Sequence, residues 1–299
     1  MNNSVVYVYC LEQDKEKIQQ AIKNYPVNVC FNCFDFDGYN DKTLLHYKSG
    51  LLDEKVTELL IHATKKGAHV EPLVSYLDSR FGHTEVELLH SGYFLHMKAF
   101  SILSRRSNRV IKRILDLFFV ALLSVIAIPV GLITAIAIKK ESPGPVFYRQ
   151  KRVGQYNQEF EVIKFRSMRA DAEKNGAQWA SKNDGRVTRV GNFIRKTRID
   201  ELPQLINVLK GEMSMVGPRP EREIFIKELE TVIPYYRFRH AVKPGITGLA
   251  QVKYPYGASV EDAVWKHKYD IYYIKHQSFL MDVKILMLTV RTVLFGMGR

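Results

Sequence analysis

The chain has 299 residues, of which 46% are apolar, with 44 Lys and Arg against 31 Asp and Glu for a formal charge of +13. This length and apolar fraction exclude a disordered chain and leave room for one large domain or two small ones. The charge is uneven: residues 1–104 hold 10 basic and 13 acidic side chains and the other 195 hold 34 and 18, so the second part seeks an anionic partner, either nucleic acid or an anionic membrane surface.

In chain order, SVVYVYCL from Ser4, VNVCFNC from Val27, HVEPLV from His69 and EVELLH from Glu85 read as short strands. Lys15–Tyr25 and Asp53–Lys66 read as amphipathic helices. Strands alternating with helices predict a small α/β domain over residues 1–104. It has no GxGxxG and no P-loop, so nothing in it marks a nucleotide site. Cys10, Cys30 and Cys33 are an odd set without a secretion signal, and reduced thiols are the simplest reading. The CxxC at Cys30 lacks the second half of a zinc site.

Residues 105–299 begin with a basic stretch (Arg105, Arg106, Arg109, Lys112, Arg113), followed by 22 residues without a charge from Leu117 to Ile138 and then by Lys139, Lys140, Arg149, Lys151 and Arg152. The run is long enough for a bilayer core, and with basic flanks on both sides neither end is marked for export. Pro129 removes a helical hydrogen bond at its middle and forces a kink. Two forms remain open: a segment of about residues 114–138 that enters one leaflet and returns, or a kinked spanning helix. Asp116, at the edge of the run, is expected to form an interfacial salt bridge with Lys112 or Arg113.

The stretch KTRIDELPQLINVLKGEMSMVGPRP sets Asp200 and Glu201 among Arg195, Lys196, Arg198 and Arg219. Carboxylates in a basic setting suit phosphate chemistry, because they can hold a divalent metal or act as nucleophiles while the cations grip phosphate oxygens. The plainer alternative is that Asp200 caps the helix marked by Leu202, Leu205, Ile206 and Leu209, with Glu201 and Pro203 in its first turn. Arg166 in KFRSM and Arg219 in VGPRP sit in short rigid segments where a guanidinium fork can clamp a diphosphate; either one alone reads equally as a surface charge. PGITGLAQV, from Pro244, is either a turn or a backbone cradle for an anion. Ile271–Gly298 has broad apolar faces interrupted by Asp282, Lys284 and Arg291, and lies in the headgroup plane or on the core. His240 and His267 read as structural histidines.

Five blocks in order, KRILDLFF at Lys112, SPGPVFYRQKRVG at Ser142, FEVIKFRSM at Phe160, DELPQLINVLKGEMSMVGPRP at Asp200 and PGITGLAQV at Pro244, resemble the bacterial sugar transferases, the monotopic phosphoglycosyl transferases of polyprenyl phosphate, over roughly residues 109–299. The resemblance implies an α/β fold in which a small Rossmann-like N-terminal domain precedes a monotopic membrane transferase domain with a re-entrant helix-break-helix, the break falling at Ile128 and Pro129. It implies that Asp200 attacks the phosphorus next to the sugar of a UDP-sugar, expelling UMP, and that undecaprenyl phosphate then takes the sugar phosphate, as the first membrane step of exopolysaccharide, capsule or O-antigen synthesis. Glu201, with Asp200, would hold Mg²⁺; Lys164, Arg166, Arg198 and Arg219 would bind substrate phosphates; Pro244, Gly245, Thr247, Gly248 and Gln251 would form a nucleotide loop. Leu249 stands where relatives often carry Trp. Placement on the cytoplasmic face of the inner membrane and a homodimer are expected, with no nucleic-acid partner.

Rival classes predict different behaviour. A non-catalytic scaffold for anionic lipids would bind without turnover, and a nucleotide-sugar hydrolase would share the first half-reaction but need no lipid. A nucleic-acid binder lacks any recognition module in this sequence.

Overall fold

The structure is a computed structural model that describes residues 5–35, 38–96, 106–169, 172, 184–254, 257 and 259–294. Contacts divide the chain into two compact units, Met1–Met97 and Lys98–Arg299. The boundary expected at 104/105 lies outside the described residues.

The first unit mixes helix and sheet. Strands β1 (Val6–Tyr9), β2 (Val29–Phe31), β3 (Thr43–His46) and β4 (His69–Pro72) are all parallel, in the order β2-β1-β3-β4. Parallel neighbours need crossovers. Helix α1 (Lys15–Ile22) links β1 to β2 and α2 (Glu54–Lys65) links β3 to β4. The Asp53 side chain accepts from the Val56 amide and caps α2. Val56, Leu60 and Ala63 on its inner face pack on Tyr9 and Leu44.

Two elements depart from the sequence reading. Thr43–His46 is a strand too short to show a period. Val86–Leu88, expected in a strand, is a 3-10 turn that follows α3 (Leu73–Phe81) and precedes α4 (Ser91–His96). Val86 and Leu88 are buried and Glu87 is exposed, so the turn repeats the in-out pattern of a strand. Cys30 and Cys33 are also joined in a disulfide with Cα atoms 6.0 Å apart, where reduced thiols were expected; left-handed Asn32 (φ 48°) turns the intervening chain back on itself.

The second unit opens with α5 (Arg106–Glu141), 36 residues and about 54 Å if straight, and it stays helical through Ile128 and Pro129, where the resemblance implied a break. Proline here costs one hydrogen bond without unwinding the backbone. The helix is long and apolar enough to cross a membrane. One side packs inward through Val120, Thr134 and Ile138, while Phe118, Leu122, Val125, Ile126, Leu132, Ile133 and Ile136 stand exposed. An apolar face of that extent is costly in water and suits lipid.

Both ends of α5 dock on the same unit. Near its start, Arg113 donates to the Val208 and Leu209 carbonyls, and Asp116 accepts from Ser214 Oγ (2.8 Å) and the Met215 amide (2.9 Å). Near its end, Gly131 lies against the Phe165 ring, Ile138 packs on Phe165 and Ile194, and Glu141 accepts from the Val190 amide. Asp116 is thus not the interfacial ion pair the sequence suggested; Lys112 pairs instead with Asp282 at 2.7 Å.

The remaining elements of this unit follow in chain order. Strands β5 (Phe147–Val153) and β6 (Glu159–Phe165) make an antiparallel hairpin, followed by α6 (Arg189–Lys196), α7 (Gln204–Lys210), β7 (Ser214–Val216) and α8 (Glu223–Leu229). Strand β8 (Gly245–Thr247) pairs in parallel with β7, then come α9 (Leu249–Lys253), α10 (Val260–His276) and α11 (Phe279–Leu294). The apolar stretch read as continuous from Ile271 therefore divides between α10 and α11 at Gln277–Ser278.

Candidate active site

Asp200 and Glu201 lie in a 3-10 turn, Ile199–Glu201, between α6 and α7. Asp200 does not cap α7: Pro203 holds the N-cap position, with no side-chain capping bond. The turn starts at Arg198 in a left-handed conformation (φ 60°), which a non-glycine residue adopts only under constraint from its surroundings. Both carboxylates are buried.

Cations from three elements converge on Glu201. Lys164 Nζ from β6 and Arg219 from the Pro218–Pro220 segment each donate to Oε1 at 2.8 Å, and Arg198 lies 3.7 Å from Oε2. Asn207 on α7 sets Lys164 opposite the turn: its side chain accepts from the Ile163 amide (3.1 Å) and donates to the Glu161 carbonyl (2.7 Å), pinning α7 to β6. Sequence reading missed Asn207; its only signal was a polar residue on the apolar face of a short helix. Among the described residues the Asp200 carboxylate makes no hydrogen bond or contact ion pair.

The two acids are driven apart electrostatically. Burial, then the charge of Glu201, push Asp200 up to about 6, against the pull of Lys164, Arg198 and Arg219. Burial would raise Glu201 as well, but Arg219, Lys164 and Arg198 outweigh it and hold this carboxyl well below its usual range. Glu201 in turn holds Arg219 above its ordinary value, while burial lowers Lys164 despite Glu201. The pair thus contains one firmly ionised acid and one whose charge is costly and whose oxygens are free.

A nucleophilic Asp200 must be ionised, so kcat/KM for the donor is expected to fall as pH drops through about 6, the value burial and Glu201 give it. Folding does not follow the same limb. A carboxyl raised in the folded state stabilises the fold as it protonates, whereas Glu201, being depressed, loses its contribution progressively as pH falls from the ordinary carboxylate range down through its own lower value. A rate profile that is flat from pH 5 to pH 8 would contradict this assignment.

The donor set suits a hard divalent ion. Mg²⁺ binds through one or two carboxylates together with substrate phosphate oxygens, and Asp200 offers an unengaged carboxylate beside Glu201. Among the described residues no group of three or more His, Cys, Asp and Glu side chains gathers as an all-protein cage.

The other expected residues fall in two places. Arg166 is not with Lys164, Arg198 and Arg219: its guanidinium donates to the Pro143 and Ser142 carbonyls and to Ser142 Oγ, and it passes over Gly144, where a Cβ would lie 2.2 Å from Nη1. Its donors hold the turn between α5 and β5. Pro244, Gly245, Thr247 and Gly248 pack on the segment that carries Arg219: the Gly245 amide donates to the Pro218 carbonyl, and the Gly217 amide donates to the Thr247 carbonyl. A Cβ on Gly248 would sit 2.2 Å from the Gly217 carbonyl oxygen, so this glycine permits the close backbone approach. Gln251 Nε2 donates to the Ile246 carbonyl, leaving Oε1 buried without a hydrogen bond among the described residues, and Leu249 is buried. These residues support Arg219 from behind.

Cations outnumber acids around the dyad. Arg152 on β5 donates to the Pro220 carbonyl and to Glu221, and its charge opposes those of Arg219 and Lys164; Lys266 on α10 also interacts with Arg219. Like charges gathered around a buried acid pair suit a polyanionic ligand. His240 and His267 are buried and held neutral, both lowered to about 3 first by burial and then by Arg239.

The family model for bacterial sugar transferases matches residues 107–296. The chain is 46% identical over 217 residues to the UDP-N-acetylgalactosamine-undecaprenyl-phosphate N-acetylgalactosaminephosphotransferase of Aeromonas hydrophila, a match covering 73% of this chain and 50% of that protein. It is 43% identical over 185 residues to the UDP-glucose:undecaprenyl-phosphate glucose-1-phosphate transferase of Escherichia coli (strain K12), covering 61% and 40% of the two chains. It is 38% identical over 226 residues to the UDP-glucose:undecaprenyl-phosphate glucose-1-phosphate transferase of Caulobacter vibrioides, covering 75% and 84%. The chain thus spans half or less of the length of the first two of these relatives.

Proposed function

The chain belongs to the bacterial sugar transferase family, and from that premise we propose that it moves a sugar 1-phosphate from a UDP-sugar to undecaprenyl phosphate, releasing UMP. The observation that carries this reading is the asymmetric acid pair: a clamped, ionised Glu201 beside an Asp200 with no hydrogen-bond or ion-pair partner among the described residues, both set among cations.

The chemistry follows from those residues. A carboxylate oxygen of Asp200 attacks the phosphorus next to the sugar, and the bond from that phosphorus to the bridging oxygen breaks, with its electron pair leaving on UMP. Lys164, Arg198 and Arg219 face the charge that develops on the phosphoryl oxygens and on the leaving group. Mg²⁺ held by Glu201 and Asp200 would supply further neutralisation of the diphosphate. In the second half-reaction an oxygen of the lipid phosphate attacks the same phosphorus and Asp200 leaves, so one set of cations serves both steps.

Helix α5 supports access to a lipid phosphate. Its lipid-suited face is exposed and both its ends dock on the unit that carries the dyad, which favours a helix that meets the membrane with both flanks on one side over a span that would separate them. Basic residues at both flanks favour the cytoplasmic side of the inner membrane.

The test is nucleotide release by detergent-purified protein with Mg²⁺, from UDP-glucose, UDP-N-acetylgalactosamine and further UDP-sugars, with and without undecaprenyl phosphate. Multiple-turnover UMP release that depends on the lipid is expected from one donor. UDP release would point to ordinary glycosyl transfer, and lipid-independent turnover would point to hydrolysis.

A further inference from the structure

Arg219 sits between two prolines, and this local chemistry determines how it can be held. Pro218 and Pro220 have no amide hydrogen, so the segment is fixed largely through its carbonyls. Each of the three consecutive carbonyls receives a donor from a different element: Pro218 from the Gly245 amide of β8 (2.9 Å), Arg219 from Arg239 Nη2 (3.0 Å) and Pro220 from Arg152 Nη1 (3.2 Å).

Of these donors, Arg239 has the most elaborate setting. It is buried at 4% exposure in the 3-10 segment Tyr236–Ala241, and the same Nη2 that meets Arg219 also meets Asp270 Oδ2 on α10 at 2.7 Å. Nη1 donates to the Tyr236 hydroxyl at 2.7 Å, and Asp270 is 1% exposed. A buried ion pair gives little net stability over apolar residues of the same volume, so its placement here calls for another reason. It ends on the main chain of the residue whose side chain clamps Glu201.

We propose that Asp270 and Arg239 are positioning residues: they hold the Arg219 main chain so that its guanidinium points at Glu201 and at the substrate phosphate. This rests on the transferase reading for the identity of the substrate, though not for the geometry. Asp270 fixes Arg239, Tyr236 orients its fork, and the Arg219 carbonyl takes the remaining direction of Nη2. Neither Arg239 nor Asp270 touches the dyad.

The test is a double-mutant cycle in the full chain: Asp270→Asn and Tyr236→Phe, each made in the wild-type and Arg219→Lys backgrounds. UMP release and UDP affinity by calorimetry are read together with the melting temperature. Asp270→Asn is expected to lower kcat/KM by about 10- to 100-fold and UDP affinity by about 5-fold in the wild type, but by less than about 3-fold in Arg219→Lys, because the residue it positions is then already compromised. Tyr236→Phe, the milder change, is expected to show the same dependence with a loss of about 3- to 10-fold, and it decides the matter if Asp270→Asn does not fold. Equal losses in both backgrounds, or no loss in a folded variant, would overturn the proposal, since a merely structural role acts alike whatever residue stands at 219. A wild type that binds UDP yet releases no UMP would sink the transferase reading while the affinity cycle still decides this one. A wild type that does not bind UDP overturns both.

Discussion

Asp200→Asn is expected to abolish turnover, with UMP release down by at least about 10³-fold. The substitution preserves shape and removes only the charge that makes the oxygen nucleophilic. Its structural cost is expected to be small, because the Asp200 carboxylate has no hydrogen-bond or ion-pair partner among the described residues to lose. Burial and Glu201 already make that charge unfavourable in the folded protein, so the variant should melt at or above the wild-type temperature at neutral pH. Loss of activity with unchanged or raised stability separates a chemical role from a structural one. Activity within about tenfold of wild type would remove Asp200 from the mechanism.

Glu201→Gln is expected to slow turnover by about 10²- to 10³-fold and to raise the Mg²⁺ concentration needed for half-maximal rate, because it removes the charge that Lys164, Arg219 and Arg198 surround. It has a second signature. Glu201 is the largest neighbouring charge that raises Asp200, so the acid limb of the residual activity should move to lower pH than in the wild type. Rate measured against Mg²⁺ and pH checks both. A variant with an unshifted limb and unchanged metal response would mean that Glu201 does no more than organise the surrounding cations.

Much of this site was legible in the sequence because its members lie within blocks. Asp200, Glu201, Arg198 and Arg219 fall inside one stretch of about twenty residues, and local order brings the first three together in a single turn. Arg166 looked equivalent to Lys164, two residues before it, and an unbroken strand would put both on one face; β6 ends at Phe165, however, and the structure commits Arg166 to Ser142 and Pro143. The glycines of PGITG suggested an anion cradle, and what they permit is close backbone contact behind Arg219. Arg152, Arg239 and Asp270 carried no signal and Asn207 only a faint one, because their meaning depends on partners between 20 and 68 positions away, and only tertiary pairing reveals them. In the first unit, Thr43–His46 was too short to show a period, and Val86–Leu88 imitated one.

Intact-protein mass spectrometry of the wild-type chain, incubated with its UDP-sugar donor and Mg²⁺ in the absence of lipid, would detect the covalent intermediate itself. A mass increment of one sugar phosphate is expected on a peptide containing Asp200, formed as UMP appears, absent in Asp200→Asn and removed when undecaprenyl phosphate is added. UMP release from an enzyme that stays unmodified, or release that begins only when the lipid is present, would contradict a covalent intermediate and indicate direct transfer between the two substrates.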